Sequence, residues 1–255
     1  MEARPLNPRD YPVAFKSKKM TACIEDGNYN KVRSDDIVVV GHSHARRLGE
    51  FFTKGDADWE NSRRIADPRN EGPMMCPTFG TGRFVHYDAQ GGDRLGPCKA
   101  RVAKHPSHAV TILWIGENDL SAKKKDNHKS LTPAEIAQHM VSIAETCRPN
   151  ASFGVIVMPL LRHINDCQYN EWAGEVNDSL RDLLYHNRRD QIMFCNLQGR
   201  VGLARETKGK QHHPPGWCLC HARKGTKQDI HLAPFGYACC YKPISFCLRS
   251  LGLKA

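Results

Sequence analysis

Hydrophobic positions along this chain fall into short continuous runs that alternate with segments of helical spacing. Ile37 to Val40 is the first such run, β-branched throughout, as expected of a strand buried on both faces. Ala45 to Phe52 then has helical character, so a first strand and helix occupy about 36 to 53. Arg83 to Tyr87 reads as a second strand, and the paired glycines in Asp88-Ala89-Gln90-Gly91-Gly92-Asp93 mark a tight turn after it. Ala109 to Ile115, Phe153 to Met158 and Gln191 to Leu197 complete a set of five strands. Thr132 is a fitting N-cap, with Pro133 in the first turn of a helix whose apolar face is Ile136, Met140, Ile143 and Ala144. Tyr169 to His186 is a long amphipathic helix, and a last helical segment spans about 234 to 251, interrupted near Pro243.

Strands alternating with helices, most of them apolar throughout, predict an α/β fold with a parallel sheet covered on both faces. Residues 1–34 hold three prolines and several charges without a period, and read as an irregular arm. Residues 35–255 then form one domain, in which the polar stretch from Thr53 to Gly82 is an ordered excursion. Ligands of such sheets collect at the carboxyl ends of the strands. Ser43 and Asn118 both stand just beyond strand carboxyl ends.

Composition narrows the class without naming a chemistry. A chain of 255 residues, 40% hydrophobic and 25% charged, is ordinary for a globular protein. No apolar run reaches the length of a membrane span, and Met1 to Met20 lacks the apolar core of a secretory signal. Eleven cysteines, an odd number without framework spacing, point first to reduced thiols and an intracellular, cytoplasmic protein, and second to a mature secreted fragment stripped of its signal. The net charge of +10 is diffuse, with runs at Lys123-Lys124-Lys125, Arg188-Arg189 and Lys208 to Lys210. Solvated surface is the default reading of such runs, and a nucleic-acid partner the second, for no recognisable nucleic-acid motif accompanies them.

The chemistry gathers where Gly41 ends the first strand and Ser43 opens the helix. A serine at that corner projects its hydroxyl near backbone N–H groups that favour developing negative charge. It suits a nucleophile, and equally a helix cap. Histidine is the side chain best suited to deprotonate it near neutral pH.

Three blocks stand in order: Gly41-His42-Ser43 with Leu48, then Gly116-Glu117-Asn118-Asp119, then Asp229-Ile230-His231 leading to Gly236-Tyr237. Together they resemble the SGNH (GDSL-type) hydrolase superfamily, over about residues 35 to 250. The resemblance implies a flavodoxin-like three-layer α/β/α fold with a central, mostly parallel five-stranded sheet, and a hydrolase acting on a small-molecule ester through an acyl-enzyme. It implies no cofactor and no metal. Ser43 would attack the carbonyl and His231 would carry its proton. Asn118 would bind the oxyanion with the N–H of Ser43 and one from the turn after the second strand, at Ala89 or Gly91. The family's acid stands three residues before the histidine, where this chain has Gln228. Either Asp229, one position on, orients His231, or Gln228 or a backbone carbonyl does so and leaves a dyad.

Other readings compete. Gly41-His42-Ser43-His44-Ala45 is similar to a Gly-x-Ser-x-Gly elbow, but has Ala45 in the fifth place. His212, His213, Cys218, Cys220 and His221 are zinc-ligand types without the usual paired spacing. His42 and His44 flank the serine, and adjacent positions at a helix start seldom face each other, which leaves His231 as the base and His42 at most lining the pocket. A non-catalytic binding domain on the same fold, associated with nucleic acid or derived from a mobile element, is the alternative to an enzyme.

Overall fold

The computed structural model describes residues 21–24, 27–53, 78–123, 131–163, 166–185, 191–197, 232 and 234–253. Six strands form one sheet: β1 (Thr21–Cys23), β2 (Ile37–Gly41), β3 (Val85–Ala89), β4 (His108–Trp114), β5 (Ala151–Val157) and β6 (Ile192–Phe194). Their spatial order is β1-β3-β2-β4-β5-β6, and all five pairings are parallel. The sheet is therefore one strand larger than expected. The extra strand, β1, is only three residues long and lacks a large apolar side chain, which is why hydrophobic patterning passes over it; it pairs with the edge of β3, and Ile24 N donates to Tyr87 O at 2.9 Å.

Period-two alternation divides the core. Ile37 and Val39 of β2 join Ile112 and Trp114 of β4 in one hydrophobic cluster. Val38 and Val40 join Leu113 in the other. Helices α1 (Ser43–Thr53) and α6 (Pro234–Ser250) supply the first cluster; α2 (Leu95–Val102), α4 (Pro133–Cys147) and α5 (Cys167–Tyr185) supply the second. This is the three-layer α/β/α arrangement. In α1 the buried Ala45, Leu48, Phe51 and Phe52 recur at helical spacing along one side.

Helix α4 begins as its sequence predicts. Thr132 Oγ1 accepts from Glu135 N at 3.2 Å and Glu135 Oε2 accepts from Thr132 N at 2.7 Å, a reciprocal capping box with Pro133 in the first turn. Two short helices, α2 and α3 (Glu117–Lys123), were not expected. Pro97 near the start of α2 breaks no bond, because the first-turn N–H groups have no partner within the helix. Helix α6 is not interrupted at Pro243 but runs through it. An interior proline costs about 3 kcal/mol; burial of Tyr237, Cys240, Ile244 and Leu248 on the same helix outweighs it.

The chain leaves β2 toward β3 on one side and later returns to β4 on the other. The carboxyl end of β2, beside β4, is thus the topological switch point, where open α/β sheets bind their ligands. Among the described residues no helix is long and apolar enough to cross a membrane.

Candidate active site

Gly41 closes β2 and fixes how the chain departs from it. A Cβ at this position would stand 1.8 Å from the carbonyl oxygen of Trp114, and φ is 150°. No side chain could occupy that space, so β2 and β4 approach as only glycine permits. His42 N then donates to Trp114 O at 3.1 Å. The next residue, Ser43, opens α1, half-buried, at the switch point.

Asn118 is the second residue of α3, which is separated from β4 by two residues, Ile115 and Gly116. Since β2 and β4 are paired neighbours with Gly41 opposite Trp114, Ser43 and Asn118 lie beyond the same edge of the sheet, after neighbouring strands. Asn118 Nδ2 donates to Asp93 O at 2.7 Å. That bond uses one of the two hydrogens on the amide nitrogen and ties α3 to the turn after β3.

The turn is compact and outward-facing. Ala89 ends β3 in register with Gly41, Gln90 N donates to Gly41 O at 2.9 Å, and Asp93 N donates to Gln90 O at 3.3 Å. Gly92, with φ of 76°, takes the turn position that glycine adopts most readily. Gly91 and Gly92 are exposed, and a Cβ on either would meet nothing within 4 Å.

The histidines flanking Ser43 turn inward, and both are buried. His44 Nε2 lies 3.1 Å from Glu117 Oε2, and His42 Nε2 lies 3.8 Å from the same oxygen. On its other side His44 Nδ1 is 3.0 Å from the Tyr237 hydroxyl, and the ring stacks on Trp114 with centroids 5.2 Å apart. His44 N also donates to His42 Nδ1 at 3.3 Å. Glu117 Oε1 accepts from Leu161 N at 3.1 Å. Burial pushes the Glu117 carboxyl up, but the facing His44 and His42 outweigh it and hold the group well below the usual carboxylate range. An anion buried beside two imidazoles makes the underside of the serine corner a charged, closely packed cluster.

Glu117 stands in the second sequence block, where the sequence alone assigns it no role. The available signal was the pair of histidines around a buried corner, which needs a charged or hydrogen-bonding partner. The expected base and acid, His231 and Asp229, lie outside the described residues, as do Gln228 and the stretch from His212 to His221. The part of the third block after His231 is described: Leu232 is buried in the cluster that contains Ala45 and Leu48, and Tyr237 reaches His44. Cys98 and Cys147 are not rival nucleophiles; both are buried, and burial pushes the Cys147 thiol up to about 12.

No protein-family model matches this chain, and no curated protein sequence does. Solved structures do. A GDSL-like lipase from Bacteroides thetaiotaomicron is 13% identical, with a TM-score of 0.54 over 89% of this chain and 99% of that one. A Bacteroides fragilis protein described as an acylhydrolase is 14% identical, with a TM-score of 0.54 over 98% of this chain and 100% of that one. A mutant of an acetyl-xylooligosaccharide esterase from Geobacillus is 12% identical, with a TM-score of 0.51 over 88% and 96%. At these identities the likeness is one of fold. The fold is that of the GDSL-type (SGNH) lipases and acylhydrolases, as the three sequence blocks led us to expect.

Proposed function

We propose that this protein is a serine hydrolase that cleaves small-molecule esters through an acyl-enzyme formed on Ser43. The observation that carries the reading is that Ser43 and Asn118 follow the carboxyl ends of the neighbouring strands β2 and β4, at the switch point of the sheet. A nucleophile and an amide donor from neighbouring strand ends are two of the three parts that acyl transfer needs, the third being a base.

In this reading the Ser43 hydroxyl attacks the carbonyl as His231 takes its proton, and the carbonyl oxygen becomes an oxyanion. Asn118 Nδ2, with its second hydrogen, and the N–H of Ser43 at the start of α1 receive that charge. The imidazolium of His231 returns the proton to the leaving alcohol, and water then releases the acid by the same route. Packing of Leu232 and Tyr237, which both follow His231 in the third block, against the serine's helix supports His231 as the base.

The third donor is better assigned to Gly91 than to Ala89. Backbone N–H groups alternate in direction along a strand, and Gln90 N already bonds to β2. Ala89 N–H therefore faces the β1 side, whereas Gly91 lies in the exposed turn beyond the ladder.

Hydrolysis of short p-nitrophenyl esters by the wild type, lost in Ser43→Ala with an unchanged circular dichroism spectrum, is the expected result. Undiminished turnover by that variant contradicts the assignment. Absence of turnover in the wild type would favour a non-catalytic binding role for the fold.

A further inference from the structure

From Gln90 to Gly92 the turn after β3 carries no side chain that packs it down. Gly91 and Gly92 have open space around them, and Gln90 is exposed. Its position is instead set at its two ends. Asp88, just before the turn, and Asp93, just after it, are both buried. A single guanidinium holds both. Arg101 Nε, from α2, lies 2.9 Å from Asp88 Oδ1, and Arg101 Nη2 lies 2.6 Å from Asp93 Oδ2. The same Nη2 is 3.5 Å from the Asp88 carbonyl oxygen. Asp88 Oδ2 is further held by His105 Nε2 at 2.7 Å and by the Tyr29 hydroxyl at 3.1 Å.

The brace extends to the other half of the site. Asp93, gripped through its carboxylate, offers its main-chain oxygen to Asn118 Nδ2 at 2.7 Å. Asp119, the next residue of α3, accepts from Leu95 N at the start of α2 at 3.1 Å. The turn, α2 and α3 thus form a closed circuit through Arg101, and the circuit contains both the Asn118 amide and the Gly91 N–H.

We infer that Arg101 is a positioning residue that sets the separation and aim of the two oxyanion donors, the Asn118 amide and the backbone N–H of the 89–92 turn. The inference rests on the ester-hydrolase reading of the site. Arginine suits the task because its planar fork fixes two carboxylates at once, which a lysine point charge does not. Donors act in the transition state only when already aimed at the place where charge develops. Removing the fork leaves Asp88 and Asp93 as facing carboxylates, drives the ends of the turn apart and loosens Asn118 with them.

Arg101→Met and Arg101→Lys test this through two readouts. Amide and side-chain NMR signals of Gly91, Gly92 and Asn118 should shift and exchange faster with solvent in both variants. The turnover number should fall by roughly 10- to 100-fold, the scale on which small misplacements act, with KM nearly unchanged. Adding Asn118→Ala to Arg101→Lys should cost much less than it does in the wild type, because the two act on one donor. Should Arg101→Met fail to fold, Arg101→Lys alone supplies all three readings. Unchanged NMR signals, or full additivity with Asn118→Ala, overturn the brace. A wild type with no turnover and no labelling of Ser43, but with the predicted NMR shifts, overturns the hydrolase reading and leaves the brace intact.

Discussion

His44 Nε2 stands 3.1 Å from Glu117 Oε2, one residue beyond the serine on α1 and one residue before the asparagine on α3. The two elements that carry the candidate nucleophile and its oxyanion donor are therefore joined beneath the site by a buried charged contact. On the far side of the ring, His44 Nδ1 is 3.0 Å from the Tyr237 hydroxyl, which ties α6 into the same cluster.

Glu117→Gln should destabilise the fold by roughly 3 kcal/mol near neutral pH, the scale of breaking a buried charge pair from one side. The pH dependence follows from the direction of its shift. The carboxyl is held below its ordinary value of 4.5, so its contribution is present above that value and is lost as the pH falls below it. Thermal melts from pH 7 to 3 should show the wild type losing stability below about 4.5, with Glu117→Gln flatter over that range. A variant within about 0.5 kcal/mol of wild type at pH 7 would show that the contact does little.

Asn118→Ala should lower the turnover number by about 10²-fold or more, with little change in KM. It also removes the bond to Asp93, so a modest fall in melting temperature is expected. Activity must therefore be counted per folded molecule. Near-normal activity on that basis would reduce Asn118 to a tie between α3 and the turn.

Much of this molecule is legible in its sequence. The strands β2, β4 and β5 announce themselves as continuous apolar runs, and Thr132 with Pro133 marks the start of α4 because capping is local chemistry. Residues set by distant contacts were not legible. Strand β1 owes its place to an edge of β3, and the passage of α6 through Pro243 to the core it covers. In the site, Ser43 and Asn118 follow from their positions after strands. Glu117 and Arg101 do not, because their partners are 73 and 13 residues away in the contacts Glu117 to His44 and Arg101 to Asp88. Only folding brings such groups together.

The acid remains the most informative position outside the described residues. In a Ser–His dyad with Gln228 beside the base, Gln228→Asp should raise the esterase rate, because a carboxylate stabilises the imidazolium far better than an amide. If Asp229 already orients His231, Asp229→Asn should abolish most activity and Gln228→Asp should add little. Steady-state rates of the two variants side by side separate these outcomes. A barely detectable rate unaltered by either change would argue for a non-catalytic domain.

The most direct test of the central claim is covalent. A fluorophosphonate probe forms a stable adduct only with a serine whose hydroxyl is activated and whose oxyanion is received. Incubated with the native protein and mapped by peptide mass spectrometry, it should modify Ser43, and the adduct should vanish in Ser43→Ala and on heat denaturation. Labelling elsewhere, or none on native protein that is folded by circular dichroism, would contradict the assignment of Ser43 as a nucleophile.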